Sequence, residues 1–545
     1  MGIIARQSIK GTIATYFGVA VGFFTTFFVL TRFLTAEEIG LTRVLVDAAT
    51  LFVSLAQLGT SSSIIRFFPY FRQKEQTKGH TGSNVSTAGE PPMEVRSPGR
   101  TTKVHSMEVR SPGRTPINTD HGFFFWTAVI PLVGFLVFAL LYWACRVPLG
   151  QWFGEKSPLF LDYYYMVLPL AFFLLYQTIF ETNCNVLMRI VVPRVVREVV
   201  VRLGMLACYL LYAFQVLSLD GFVVAVCANY GIAAIINLVY LIGLGHLSFR
   251  PDWAFLRANI PLVRSYVRYS SFVFVSALAA ALGPTLSSFF ITAKMGLEYT
   301  GIFAIATYIA VVVSIPYRSL TAIASPQLAR ATKEQNLTEA QTLVHQVSSN
   351  LLLIGGLLFF LIWCNIDLIF HILPNGDTYA VARNVVFLLS LTQLMIATCT
   401  ISLTTISFSR YYALSLLFSL ILTVSSLCLN NYLIPLYGME GAAISTLLSN
   451  ALYFALALLA LRLACRLRLL NGNAMKTILL LIVLFAFNAL WLHFLPTGNI
   501  WWSSIARTLF LGGSGVVIAY ALRLSPELSK IGDTILNTLK RRGKN

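Results

Sequence analysis

The chain has 545 residues, is 57% hydrophobic and 11% charged, and carries 40 Lys and Arg against 22 Asp and Glu, a net charge of +18. Soluble domains average about 45–50% apolar and about 25% charged residues, so this composition excludes an ordinary water-soluble domain. No face interleaves basic and aromatic residues as a nucleic-acid surface would, so the positive charge points to anionic membrane lipids and not to nucleic acid.

Fourteen apolar stretches are predicted as membrane-spanning helices: 9–30, 41–64, 122–144, 160–182, 198–217, 221–244, 268–291, 300–322, 348–372, 384–407, 411–432, 441–461, 476–495 and 500–522. Each is near the roughly 20 residues that a helix needs to cross about 30 Å of hydrocarbon. The first follows Arg6 and Lys10, is longer than a signal-peptide core and lacks a small-residue cleavage site, so it is expected to stay as a helix. Basic residues fall in every second gap. With a cytoplasmic N-terminus, 33 of the 40 Lys and Arg lie on that side. The seven exceptions are Arg32, Arg43, Arg146, Lys156, Lys294, Arg383 and Arg507. This positive-inside bias places both termini in the cytoplasm.

One gap is long and polar. Residues 73–121 are rich in Ser, Thr, Pro and Gly, and the run Met93 to Thr101 recurs from Met107 to Thr115. Two copies are too few for a solenoid, so a disordered cytoplasmic insertion is expected. It is either a tolerated insertion or a basic tether to anionic lipid or a cytoplasmic enzyme. The eight cysteines are scattered, without a CxxC pair or nearby His at ligand spacing, so they are read as packing residues. No metal or other cofactor is expected.

A second, weaker repeat is more informative. Phe28 to Leu41 contains Arg32, Glu37 and Gly40; Phe290 to Ile302 contains Lys294, Glu298 and Gly301. In both, a cation ends a span, an acid follows, and a glycine comes three residues after the acid. Six spans separate the copies, so both run in the same direction. The prediction is an all-α polytopic membrane protein whose halves are parallel repeats about an axis along the membrane normal. The halves are a six-helix lobe over 1–245 and another over 246–467. Residues 468–545 add a two-helix hairpin and a basic cytoplasmic tail.

Two segments carry a family resemblance. One runs from Ile9 through Arg32 to Gly40 and continues with Leu58, Gly59, Ile65, Arg66 and Pro69; the other runs from Leu429 through Pro435, Gly438 and Gly441 to Thr446. Together with the fourteen spans they resemble the polysaccharide transporter (oligosaccharide/O-antigen flippase) family of the multidrug/oligosaccharidyl-lipid/polysaccharide exporter superfamily. The likeness covers the whole chain except about 74–120. It implies a bacterial inner-membrane flippase that moves an undecaprenyl-pyrophosphate-linked oligosaccharide to the periplasmic leaflet by alternating access, for surface polysaccharide biosynthesis. Its implied partners are that lipid-linked substrate, membrane lipids, and a polysaccharide polymerase or glycosyltransferases.

A headgroup with about two negative charges needs a wet, cationic cavity, and each intramembrane charge is a site hypothesis because it is costly to insert. Arg43 and Asp47 lie four residues apart in the second span. They read as a phosphate-binding arginine with a protonatable partner, or as an ion pair that lets the helix insert. Arg32 and Lys294, at matching span ends, flank an outward mouth or snorkel to the interface. Arg66 meets the headgroup at the cytoplasmic side or anchors the span. Gln177, Glu181, Asn185 and Arg189 form an i, i+4 stripe, with Glu181 a candidate for ion coupling and Arg202 its expected partner; the other reading is a stripe wetted by the interface. Pro284, Pro316 and Pro326 are candidate kinks.

Two other functions compete. A membrane glycan polymerase handles the same lipids but needs a sizeable outward loop with catalytic acids, and every outward gap here is short, so no enzymatic activity is expected. A cation-coupled multidrug exporter would favour an acidic cavity, whereas the intramembrane charges here lean basic.

Overall fold

The computed structural model describes residues 3–71, 121–245, 251–494 and 499–525, together with 529, 533 and 534. All of the expected insertion except His121, and most of the basic tail, lie outside the described residues. Twelve helices among the described residues are long and apolar enough to cross a membrane. The main helices in chain order are α1 (Ile3–Phe24), α2 (Ala36–Ala56), α3 (Thr60–Phe71), α4 (Phe123–Ala144), α5 (Val167–Val186), α6 (Val201–Ala213), α7 (Leu219–Gly243) and α8 (Ile260–Lys294). They continue with α9 (Leu297–Val311), α10 (Ile315–Lys333), α11 (Leu337–Cys364), α12 (Arg383–Phe408), α13 (Ala413–Leu463), α14 (Gly472–Phe494), α15 (Ile500–Arg507) and α16 (Gly513–Ala521).

Local chemistry sets the ends of these helices. Thr35 and Glu38 close a capping box at the start of α2, with the Thr35 amide donating to Glu38 at 2.8 Å and the Glu38 amide to Thr35 at 3.3 Å. Leu58 and Gly59 then adopt positive φ (48° and 74°), which separates α2 from α3. Helix α1 does not stop at Phe24 but widens into a π-helical turn over Thr25–Leu30. The segment between α5 and α6 is helical as well: a short helix at Val191–Val195 leads into a π-turn at Val196–Val200 and then α6.

The 51 residues of α13 would run about 77 Å as one straight helix, more than twice the hydrocarbon thickness. Gly438 breaks it with φ 59° and ψ −134°, and a Cβ there would lie 2.9 Å from the Met295 methyl. Beyond the break the chain folds back, so that the Ser445 hydroxyl lies 3.5 Å from the Ser426 carbonyl. Pro326 sits inside α10 and Pro316 at its first turn, where its missing N–H costs nothing.

The largest buried cluster joins the two halves of the chain, with Ile39, Val44 and Leu45 of α2 in the same core as Ile291 of α8 and Ile302 and Ile305 of α9. The C-terminal helices pack separately on α11 through Phe360, Leu480 and Leu511. The loop joining the halves is tied to the start of α4, where His121 Nδ1 meets Asp252 Oδ2 at 2.9 Å and the His121 ring stacks on Phe255. The Phe255 amide, then His121, hold the Asp252 carboxyl below the usual range.

Candidate transport cavity

The expected polar stripe of α5 faces a cavity. Gln177, Glu181 and Asn185 line a space of about 720 Å³ together with residues of α1, α6, α9 and α10. Arg189 does not reach it, because α5 ends at Val186 and the chain turns at Met188, whose φ is 59°. Among the described residues, three arginines line the space, Arg197, Arg202 and Arg318, against one carboxylate, Glu181. The deep wall carries Tyr209, Tyr230 and Tyr308, and hydroxyls come from Thr25, Thr26, Thr178 and Thr182. This volume falls in the range of about 300–1,000 Å³ typical of ligand clefts.

The charges are paired differently from expectation. Glu181 accepts from Arg197 at 2.8 Å, not from Arg202. Arg202 is held by Glu198 at 3.0 Å, one helical turn away, and donates to the Gly18 carbonyl of α1 at 2.7 Å. A Cβ on Gly22 would meet that guanidinium at 2.4 Å, so Gly18 and Gly22 let α1 lie directly on the charged turn. Arg197 and Arg318 were counted in the sequence only as orienting charges. A Pro316-X-Arg318 step inside the apolar stretch 300–322 was the available signal for the second.

At the end of the bundle away from Glu181 and Arg318, the halves are shut against each other. A Cβ on Gly40 would lie 1.9 Å from the Leu297 carbonyl oxygen, and one on Gly301 would lie 1.9 Å from the Ala36 carbonyl oxygen. These contacts are reciprocal, and each glycine's Cβ would also sit 3.0 Å from the other's amide nitrogen. Gly40 and Gly301 are the two glycines that end the sequence repeat. The Ser157 hydroxyl donates to the Thr292 carbonyl at 2.7 Å, and Asn375 donates to the Thr31 carbonyl at 2.9 Å, on the same side of the cavity.

Arg43 and Asp47 form the expected ion pair, Nε to Oδ2 at 2.8 Å, with Asp47 only 7% exposed. The pair lies between the shut end and the cavity, with the Arg43 guanidinium 5.8 Å from the centre of the Tyr308 ring that lines it. The remaining sequence candidates are dispersed. Lys294 donates to the Asn431 carbonyl and side chain at 2.8 and 2.9 Å, while Arg32 is exposed beside Phe33. Arg66 is exposed and lies 4.3 Å over the Tyr269 ring, where α3 meets α8. Asp367 pairs with Arg383 at 3.0 Å.

No protein-family model matches the chain. No curated protein matches it either. Solved structures do share its fold. A structure described as the lipid II flippase MurJ in an inward closed conformation aligns over 94% of this chain and 99% of its own, with a TM-score of 0.67 and 10% identity. An inward-facing multidrug resistance MATE family transporter of the MOP superfamily aligns over 83% and 94%, with a TM-score of 0.59 and 11% identity. A MATE transporter of Vibrio cholerae aligns over 85% and 97%, with a TM-score of 0.55 and 15% identity.

Proposed function

We propose that the protein is a flippase that carries an undecaprenyl-pyrophosphate-linked oligosaccharide across the bacterial inner membrane by alternating access. The observation that supports this most is the cavity's chemistry. Among the described residues, Arg197, Arg202 and Arg318 line the cavity against Glu181, and with Glu198, which pairs with Arg197 and Arg202, the cluster still holds three cations to two acids. Arginine forks suit phosphate oxygens, while the threonine hydroxyls and tyrosine faces suit sugars. A cationic drug would call for the opposite charge balance.

In this reading the chain crosses the membrane fourteen times with both termini cytoplasmic. The two arms of α13 are separate crossings, and the charged 191–213 segment is the fifth. Residues 1–245 and 246–467 form two parallel six-helix lobes, an arrangement supported by the reciprocal contact of Gly40 and Gly301. The cavity opens to the cytoplasm and the glycine contact closes the periplasmic side. Arg66 meets the headgroup at entry, Arg197, Arg202 and Arg318 hold it, and Arg43 takes it over when the glycine contact parts. Arg32 and Lys294 stand at the exit. Glu181 and Asp47 are the groups through which an ion gradient acts, each by releasing or retaking its arginine. A polymerase or glycosyltransferases would supply and consume the substrate.

Liposomes holding the purified protein and a labelled polyprenyl-pyrophosphate saccharide test the proposal. The label is expected to become accessible on the far leaflet, at least about tenfold more slowly when Arg202 and Arg318 are both changed to Ala. Absence of movement, with extrusion of cationic dyes along an ion gradient instead, would make the protein a drug exporter. Deleting 74–118 is expected to leave the flipping rate unchanged, and a lower rate at equal protein level would assign that insertion a role in transport.

A further inference from the structure

A second cavity, of about 580 Å³, lies outside the transport path. It forms where the ends of α10, α12 and α13 converge on the start of α11, on the face that carries Arg330, Lys333 and Arg462. Its polar lining comes from Arg410, Arg466, Gln335, Asn336, Thr332 and Ser409. Among the described residues, no carboxylate lines it. The two acids close by in sequence are engaged by other groups than these arginines: Glu334 accepts from Arg330 at 2.8 Å, and Glu339 accepts from the Asn336 side chain at 3.1 Å. Among the described residues, neither Arg410 nor Arg466 has an acidic partner. Arg410 is held only by its neighbour, donating to the Tyr411 hydroxyl at 2.5 Å.

Arginines beside helix C-termini often serve only to satisfy the last carbonyls and the dipole. Here several of these carbonyls are already taken by backbone turns. Ala460 accepts from the Ala464 amide at 2.8 Å, Leu461 from Leu467 at 3.1 Å, Ile406 from Ser409 at 3.1 Å and Ala331 from Asn336 at 2.9 Å. Arg466 moreover holds a positive φ of 57°, a conformation uncommon for a side-chain-bearing residue. The apolar part of the wall includes Phe408, Leu337 and Leu463, all well exposed. A basic rim over an apolar wall matches an amphiphile at the membrane surface.

We propose that this pocket binds a phosphate-bearing anion, presented by the headgroup of an acidic phospholipid, between Arg410 and Arg466. The site is separate from the cavity that carries the flipped substrate, and it does not depend on what that substrate is.

The test uses the full-length protein in bilayer discs of phosphatidylcholine doped with a phosphatidylglycerol analogue that carries a photoreactive headgroup. Both faces of the disc are accessible, so the result does not depend on membrane orientation. Crosslinks are expected within 405–411 and 463–467. They should fall about thirtyfold in the Arg410→Gln/Arg466→Gln variant, as expected for two interfacial cations. They should persist in Arg410→Lys/Arg466→Lys, and in Arg462→Gln, which changes a neighbouring cation outside the pocket. If the lipid probe labels nothing there but inorganic phosphate raises the thermal stability of the wild type and not of the double Gln variant, the site holds and its occupant is a soluble phosphate. Equal labelling in wild type and double Gln variant overturns the proposal. So does a double Gln variant that loses stability in the absence of any phosphate effect, since the arginines would then serve the helix ends alone.

Discussion

Gly40→Ala is expected to hold the protein apart at its shut end and to reduce flipping about as strongly as Gly301→Ala. A single added methyl would place carbon 1.9 Å from a carbonyl oxygen on the facing helix, whichever glycine is changed. No rotamer relieves that clash, because the obstructing atom is backbone on both sides. Helices α2 and α9 would have to separate. Overpacking of this kind costs about 1–3 kcal/mol, enough to shift a two-state equilibrium about 5- to 150-fold toward the open end. Spin labels at Glu37→Cys and Glu298→Cys, in a cysteine-depleted background, would report the separation directly. Gly150→Ala serves as control, since no atom lies within 4 Å of its added methyl. Unchanged label distances together with full flipping in both variants would show that the contact is not part of the cycle.

The glycine pair also shows how far the sequence could be read. Two short segments that share a cation, an acid and a glycine were legible as a repeat, because the spacing survives in the chain itself. That the two glycines touch was not legible, since a contact between distant segments depends on how the helices assemble and not on local pattern. The α5 stripe was readable for a related reason: i, i+4 spacing puts Gln177, Glu181 and Asn185 on one face wherever the helix goes. The partner of Glu181 was not readable. Arg202 was the expected choice, but Arg197 and Arg202 both cluster with Glu198, and the π-turn over 196–200 rotates Arg197 toward α5. A bulge of that kind has no clear signature in an apolar sequence. Helix counts depend on similar detail, because a break at a single glycine decides whether α13 is one helix or two.

Arg43→Ala is expected to cost about 3–5 kcal/mol of stability as well as to suppress flipping. Asp47 is 7% exposed and its ion partner is Arg43, so removing the guanidinium strands a buried carboxylate. Loss of activity in that variant alone therefore cannot separate a role in transport from damage to the fold. Arg43→Met combined with Asp47→Leu removes both charges while keeping the volume, and such replacements of buried pairs are often neutral or stabilising. Thermal unfolding of this double variant is expected to return to the wild-type range. Flipping is expected to stay low, because the cation that lies between the arginine-lined cavity and the Gly40–Gly301 contact is gone. Arg43→Lys retains the charge but not the fork that pairs with Asp47 through Nε, and should flip at an intermediate rate. If the double variant instead flips as fast as wild type, the pair exists to let α2 insert, and the phosphate must pass the shut end without it.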